Sequence, residues 1–251
     1  MSTALKSMAS RPVHDWADSS TGEVAQRLLG KMKLHQANKK LGRMPTFSLP
    51  AGRVYGCPDS TPACEAVCYA KKLVNRYPRA HLGYLENFQI AQRSDFAEVM
   101  MRVLESLPEG LLRIHVSGDF FSVRYIEDWA KALECNPHIK AFGFTRAWRN
   151  PERRRALEQS GMTRFILASI DNETEPHPKD WRVALMRPDV LLTRVQKGLV
   201  DIPQFLCDEQ HPAIQRTCSE CGRCPGWRLV DDQLIQLNEK VLAMPVVFAK
   251  H

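Results

Sequence analysis

The sequence predicts an α/β protein: parallel strands in a partial or full (β/α) barrel, plus a small Cys-rich C-terminal metal module. Three observations predict it. Apolar strand-like runs alternate with helical patterns through the middle of the chain, polar residues follow directly on those runs, and seven of the eight cysteines fall into two knots. The expected organisation is an N-terminal arm and helix (1–35), a (β/α) core carrying a three-cysteine loop (36–200), and a Cys-rich C-terminal module with a final helix and strand (201–251).

Residues 1–20 are small and polar, a frayed arm with nothing to bury. Residues 22–35 carry apolar positions at helical spacing. Thr46-Phe47-Ser48-Leu49-Pro50 reads as a short strand ended by proline. After Tyr69 the pattern is helical for a long stretch, with Ser94 or Asp95 as N-cap of the segment Asp95 to Leu104. Leu111 to Ser117 is a buried strand that breaks at Gly118-Asp119. Val123 to Leu133 is a helix, Lys140 to Arg146 a strand, and Pro151 to Gln159 a charged helix opened by proline. Arg164 to Ser169 and Val190 to Val195 are further strands; a helix over Asp232 to Leu242 and a short strand, Val246-Val247-Phe248, close the chain.

In parallel α/β folds the chemistry gathers at the C-terminal ends of the strands. Ser117-Gly118-Asp119, Thr145-Arg146, Ser169 with Asp171 and Asn172, and Arg194 with Gln196-Lys197 all fall there. The first cysteine knot, Cys57, Cys64 and Cys68, also lies just past a strand. The second comprises Cys207, Cys218, Cys221 and Cys224.

The chain shows no secretory leader in residues 1–15 and no apolar run of the ~18 residues a membrane span needs, so a cytoplasmic protein without a membrane partner is expected. Clustered thiols in reducing cytosol hold a metal or a cluster in preference to disulfides. Three thiolates suit an open site, either a [4Fe–4S] cluster with one free iron or a zinc whose fourth ligand is distant, with His81, His115 or Cys207 as candidates. Four suit a closed site, an auxiliary cluster or a structural zinc, and one cluster drawing on both knots stays open. The net charge of +7 fits a nucleic acid or nucleotide partner. Lys31, Lys33, Lys39, Lys40 and Arg43, with Arg153-Arg154-Arg155, read as a solvated basic face or a phosphate contact. Arg146-Ala147-Trp148-Arg149, after a strand, could pack, stack a base or contact phosphate. Cys135 reads as a small core residue, His115 as a satisfied core histidine, and Trp129, Trp148 and Trp227 as packing residues.

Cys57-x6-Cys64-x3-Cys68-Tyr69-Ala70, between Asn38-Lys39-Lys40-Leu41-Gly42 with Phe47-Ser48-Leu49-Pro50 and His115-Val116-Ser117-Gly118-Asp119-Phe120-Phe121, resembles the phage and plasmid gene product 88-like family, from about residue 36 to 227. More distantly, the loop resembles radical S-adenosylmethionine enzymes, which place three cysteines after the first barrel strand. Their usual spacing is x3 then x2, with the aromatic residue before the last cysteine, whereas here it is x6 then x3 with Tyr69 after it. That resemblance implies a [4Fe–4S] cluster on Cys57, Cys64 and Cys68, S-adenosylmethionine on the open iron, and an electron donor. Ser117-Gly118-Asp119 would hold the methionyl amine, and Ser169, Asp171 or Asn172 the ribose or carboxylate. The plain alternative for Ser-Gly-Asp is a helix N-cap. Two functions follow as expectations: a radical S-adenosylmethionine-like enzyme acting on a nucleic acid or nucleotide, or a non-catalytic nucleic-acid-binding protein stabilised by zinc or iron–sulfur.

Overall fold

Near-continuous apolar runs form strands when both faces of a sheet are covered, and this chain supplies five of them in series. The structure, a computed structural model, describes residues 16–34, 37–38, 40–171, 176–186, 207, 214, 216–242 and 246–248. A small antiparallel pair, β1 (Ala37–Asn38) and β2 (Gly42–Arg43), precedes the main sheet. The sheet comprises β3 (Thr46–Phe47), β4 (Gly110–Ile114), β5 (Ile139–Thr145), β6 (Ile166–Ile170), β7 (Val183–Met186) and, near the C-terminus, β10 (Val246–Phe248). Between β7 and β10 lies the antiparallel hairpin of β8 (Trp227–Val230) and β9 (Gln233–Gln236). Every pairing in the main sheet is parallel, in the order β10-β7-β6-β5-β4-β3.

Strands added one after another in the same direction by right-handed crossovers put all their helices on one face. These are α1 (Thr21–Leu34), α2 (Pro62–Ala66), α3 (Tyr69–Arg76), α4 (Pro78–Ala91), α5 (Phe96–Glu105), α6 (Val123–Glu134) and α7 (Pro151–Gln159), with α8 (Cys218–Cys221) and α9 (Glu239–Leu242) in the C-terminal segment. Helix α1 turns Val24, Ala25, Leu28 and Met32 into the core, and Ser20 and Glu23 exchange backbone-to-side-chain hydrogen bonds at its start. Helix α6 opens on Ser122, whose hydroxyl accepts from the Tyr125 amide, and buries Tyr125, Ile126 and Trp129. Helix α7 opens on Asn150, which accepts from the amides of Glu152 and Arg153, with Pro151 at its first position.

Alternation along each strand separates two cores. Leu112 and Ile114, Ala141, Ile166 and Ala168, Leu185 and Val247 face the helices. On the other face, Leu111, Phe142, Leu167, Ala184 and Val246 meet Leu41 and Met44 beside β1–β2 and, from the C-terminal segment, Cys218, Cys224, Trp227 and Leu234. The Cys-rich segment is therefore a cover on the sheet.

Several expectations are corrected. The sheet does not close into a barrel: among the described residues it has two ends, β3 and β10. Strand β4 stops at Ile114 because His115 takes a left-handed conformation (φ 61°), which a strand cannot continue. Asp95 stands at the N-cap of α5 without capping it; its carboxylate takes Arg93 and Thr21 instead. Asp232 to Leu242 is not one helix. Asp231 and Asp232 both take positive φ, the twist a tight hairpin needs, and lead into β9 before the single turn α9. Cys135 is exposed at the end of α6, not a core residue. The strand expected over 190–195 lies outside the described residues, as does Arg194.

Candidate functional site

Beyond the ends of β3 and β4 the two chains stay zipped: the Leu49 amide donates to the Ser117 carbonyl (2.8 Å), and the Val116 amide to Ser48 Oγ (3.1 Å). Gly118 closes that junction with φ 87°, and a Cβ there would lie 2.5 Å from Leu49 Cβ, so only glycine fits. Past it the three-cysteine loop folds back. The Cys57 amide donates to the Gly52 carbonyl (3.0 Å), and Thr61 caps α2 by accepting from the Cys64 amide (3.0 Å). Side chains then clamp the loop from outside. Arg153 grips Asp59 with two hydrogen bonds (2.6 and 2.7 Å), and the Thr61 hydroxyl donates to Asp171 (2.7 Å). The Tyr69 hydroxyl donates to the Val116 carbonyl. Arg153 is thus no part of a freely solvated basic face.

This architecture brings Cys57, Cys64 and Cys68 within electrostatic reach of one another, with Asp119, Arg146 and Asp171 around them. Burial, then the neighbouring Asp119, pushes the Cys57 thiol up to about 12. Burial also raises Cys64, against the pull of Arg146. Asp119 is not a helix cap, since Ser122 does that work. Its carboxylate accepts from Thr145 Oγ1 (2.5 Å) and from the amides of Arg146 and Phe120 (2.7 Å each), tying the end of β4 to the end of β5. Burial nevertheless raises its pKa to about 6. Arg146 pairs with Asp171 at 2.5 Å. The Ser117 hydroxyl is buried without a hydrogen-bond partner among the described residues, a cost a bound polar group would remove.

Of the residues singled out in the sequence, Asp119 stands within electrostatic reach of the thiols and Gly118 lies against Gly56 next to Cys57. Ser117 pairs with Leu49, and Asp171 joins the site through Thr61 and Arg146. Ser169 lies in β6, its carbonyl taken by the Trp148 indole (3.0 Å). Asn172 lies outside the described residues. Trp148 is buried, so it packs and does not offer a face to a base. His115 bonds Tyr125 on the helix side (2.9 Å), away from any ligand role, and burial holds its pKa down to about 3. Thr61 and Asp59 with its Arg153 partner were not anticipated, whereas Arg146 was expected at this end of the sheet though not its pairing with Asp171. The only sequence signal for them was their place on loops after strands.

The second set sits on the opposite face of the sheet. Helix α8 opens with a capping box between Thr217 and Glu220 and docks on the first hairpin through the Cys218 and Ser219 amides, which donate to the carbonyls of Lys40 (2.9 Å) and Leu41 (3.2 Å). Gly222 ends it at φ 71°, where a Cβ would meet Arg228 Cβ at 2.4 Å. Arg182 holds the next turn by donating to the carbonyls of Cys224 (2.9 Å) and Arg223 (2.6 Å), and the Cys207 amide donates to Val247 in β10 (2.9 Å). The four thiols, with Arg216, Thr217 and Arg223, line a cavity of about 20 Å³. Burial raises Cys218 to about 11 and takes Cys224 well above the usual thiol range, with Cys207 adding to both. Cys207 thus falls with the second set. Among the described residues, no three Cys, His, Asp or Glu side chains are already drawn together as a group that would hold a metal ion.

Among the described residues no helix is long and apolar enough to cross a membrane. No solved structure matches the chain. It is 26% identical over 210 residues to the Gene 88 protein of Mycobacterium phage L5, covering 76% of this chain and 87% of that one. It is 27% identical over 146 residues to the Gene 88 protein of Mycobacterium phage D29, covering 54% of this chain and 61% of the phage protein. These matches support the phage family and not the radical-enzyme resemblance, and neither name states a cofactor, substrate or activity. The Gene product 88 family model matches residues 24–225, most of the chain's length, and the chain belongs to that family.

Proposed function

We propose that the protein is an iron–sulfur enzyme of radical S-adenosylmethionine type, with Cys57, Cys64 and Cys68 as the thiolate ligands of one [4Fe–4S] cluster. One observation carries this reading: three thiols and a buried carboxylate meet at the C-terminal ends of a sequentially ordered parallel sheet. Three thiolates suit a group that keeps an open coordination position, and cluster thiolates sit on separate irons, so they need not crowd round one ion. Such a group supplies one-electron chemistry to a ligand at its open iron.

The chain's own residues do the rest. Asp119, ionised above about pH 6, presents negative charge to a ligand ammonium, while its bonds from Thr145, Arg146 and Phe120 keep it from turning away. The Ser117 hydroxyl, buried two residues earlier in the chain, would serve as a second polar contact. Arg146, half-neutralised by Asp171, offers a cation to a carboxylate or phosphate, and Arg149 stands at the rim, 3.7 Å from Asp171. The net charge of +7 supports a nucleic acid or nucleotide as the substrate class.

The test is iron and sulfide content of anaerobically purified full-length protein, with S-adenosylmethionine binding by calorimetry. About four irons and four sulfides, lost in the Cys57→Ala/Cys64→Ala/Cys68→Ala variant, together with ligand binding that Asp119→Ala abolishes, is the expected result. Absence of iron, or a cluster-loaded protein that ignores S-adenosylmethionine, overturns the reading. A zinc-stabilised nucleic-acid-binding protein would then take its place.

A further inference from the structure

We infer that Cys207, Cys218, Cys221 and Cys224 form a closed site for a single thiophilic divalent ion, zinc, with the buried Arg113 guanidinium as its counter-charge. The inference is independent of the reading of the strand-end thiols.

The donor set points to the class of occupant. The four thiols line one small pocket with Arg216, Thr217 and Arg223. Four cysteine sulfurs are the donor set of structural zinc, which binds thiolate at ~2.3 Å and leaves no position open. Binding draws the sulfurs inward by side-chain rotation about a backbone that is already pinned.

Arg113 is the second, independent observation. It projects from β4 onto this face of the sheet, stacked between Phe142 (4.9 Å) and Phe144 (4.1 Å). It is 7% exposed, and one Nη donates to the His115 carbonyl (3.1 Å). The other, Nη1, is buried without a hydrogen-bond partner among the described residues. Among the described residues its acidic neighbours are the Tyr69 hydroxyl and the Cys224 and Cys218 thiols, all of which burial favours in their neutral forms. A buried, incompletely bonded cation is costly unless an anion faces it. A divalent ion on four thiolates carries a net charge of −2, which makes it that anion.

The ligands come from three places in the fold. Cys207 is bonded to β10, Cys218 to the β1–β2 hairpin with Cys221 following it in α8 (its amide donates to Thr217), and Cys224 to Arg182 before β7. One ion on all four ties the β10–β7 edge of the sheet to the N-terminal hairpin. Its role is to seat the C-terminal cover on the sheet.

The experiment measures metal in full-length protein purified without added metal. About one zinc per chain is expected, retained in Cys57→Ala/Cys64→Ala/Cys68→Ala and lost in Cys221→Ser/Cys224→Ser. If the latter variant fails to fold, cobalt exchanged into the wild type replaces that arm: the intense visible bands of tetrahedral tetrathiolate cobalt, abolished by adding zinc, support the site. A wild type without zinc, zinc that survives the double variant, iron with sulfide retained in the triple variant, or octahedral cobalt overturns it. Arg113→Met should release zinc to a chelator at least ~10-fold faster, with Arg113→Lys intermediate, in the manner of a residue that supports metal ligands from behind. An unchanged release rate would remove Arg113 from the site. Absence of iron from every variant would sink the strand-end reading and leave this one standing.

Discussion

At the strand ends, Cys57, Cys64 and Cys68 ride on a loop clamped by side chains, Arg153 on Asp59 and Thr61 on Asp171. On the opposite face, Cys207, Cys218 and Cys221 are held by their own main-chain amides, to Val247, Lys40 and Thr217. The surroundings differ as well. Asp119, Arg146 and Asp171 bring charges of both signs to the first set, whereas an arginine pinned between two phenylalanines backs the second. Cys57 and Cys68 also bond through their amides, but only within their own loop, to Gly52 and Glu65. Its attachment to the rest is therefore by side chains, which yield to a ligand more readily than main-chain bonds to the hairpin and β10. The first arrangement suits exchange of ligands and the second suits permanence.

Replacing the two glycines that shape the sets gives the largest test of this contrast. Gly118→Ala and Gly222→Ala each combine positive φ with a clash below 3 Å, and each should cost about 3 kcal/mol or more in urea unfolding. The contrast predicts that Gly118→Ala spares the metal content of the second set and Gly222→Ala spares that of the first. A common loss of both would show the sets to be one cooperative unit.

Acid titration separates the two sides of the strand end. Burial holds His115 at about 3 against an ordinary 6.5, so the unfolded chain binds the extra proton and stability falls as pH drops from 6.5 towards 3. Asp119, raised from 3.8 to about 6, binds its proton more readily in the folded state. Its stabilising contribution is present at low pH and is lost as pH rises through that interval. Over their full ranges the His115 effect is about 5 kcal/mol and the Asp119 effect about 3, and they oppose one another between about pH 4 and 6. Metal-free wild type should therefore show a nearly flat profile there. Asp119→Asn should lose stability on acidification, and His115→Asn should lose it on alkalinisation. Parallel slopes for both variants would contradict the assignment.

Asp59→Asn should cost about 1–2 kcal/mol, because it breaks a bidentate pair that is mostly buried (side-chain exposure 13% and 17%). Cofactor retention should weaken in the strand-end set alone. Arg154→Ala removes only an exposed i,i+4 pair with Glu158 and should shift stability by about 0.3 kcal/mol, with metal content unchanged. A larger effect from Arg154 than from Asp59 would break the distinction between clamp and surface.

Much of this could be read before any coordinates, for reasons that differ by element. Strands β4, β5 and β6 announce themselves as apolar runs too short for helices, α6 by Tyr125, Ile126, Trp129 and Leu133 on one side, and α7 by Pro151 at its first turn. Strand β7 escaped notice because its four residues follow Trp181-Arg182 without a turn signal. The β8–β9 hairpin was hidden by leucines and isoleucine at helix-like spacing, and by a turn made of two aspartates in place of Asn-Gly. Sorting of the cysteines into two sets was visible in their order and spacing; only for Cys207 did a second choice, as distant ligand of the first set, stay open until its amide was seen bonded to β10. That Arg113 would stand behind the second set was beyond reach, since a strand's register decides which face an arginine takes. The same holds for Arg153, which reads as one charge in a run until Asp59 is brought to it.

Strand β10 pairs with β7 although about sixty residues separate them in sequence, and the Cys207 amide bonds to its middle residue. A chain still emerging from the ribosome can pair β3 through β7 while β10 is unmade. In that interval β7 is a bare sheet edge carrying Val183, Ala184 and Leu185, a template on which another nascent chain can dock. Host chaperones that shield hydrophobic edges would govern the yield of soluble protein. Slowing the synthesis of the last segment should increase aggregation more than slowing any earlier one.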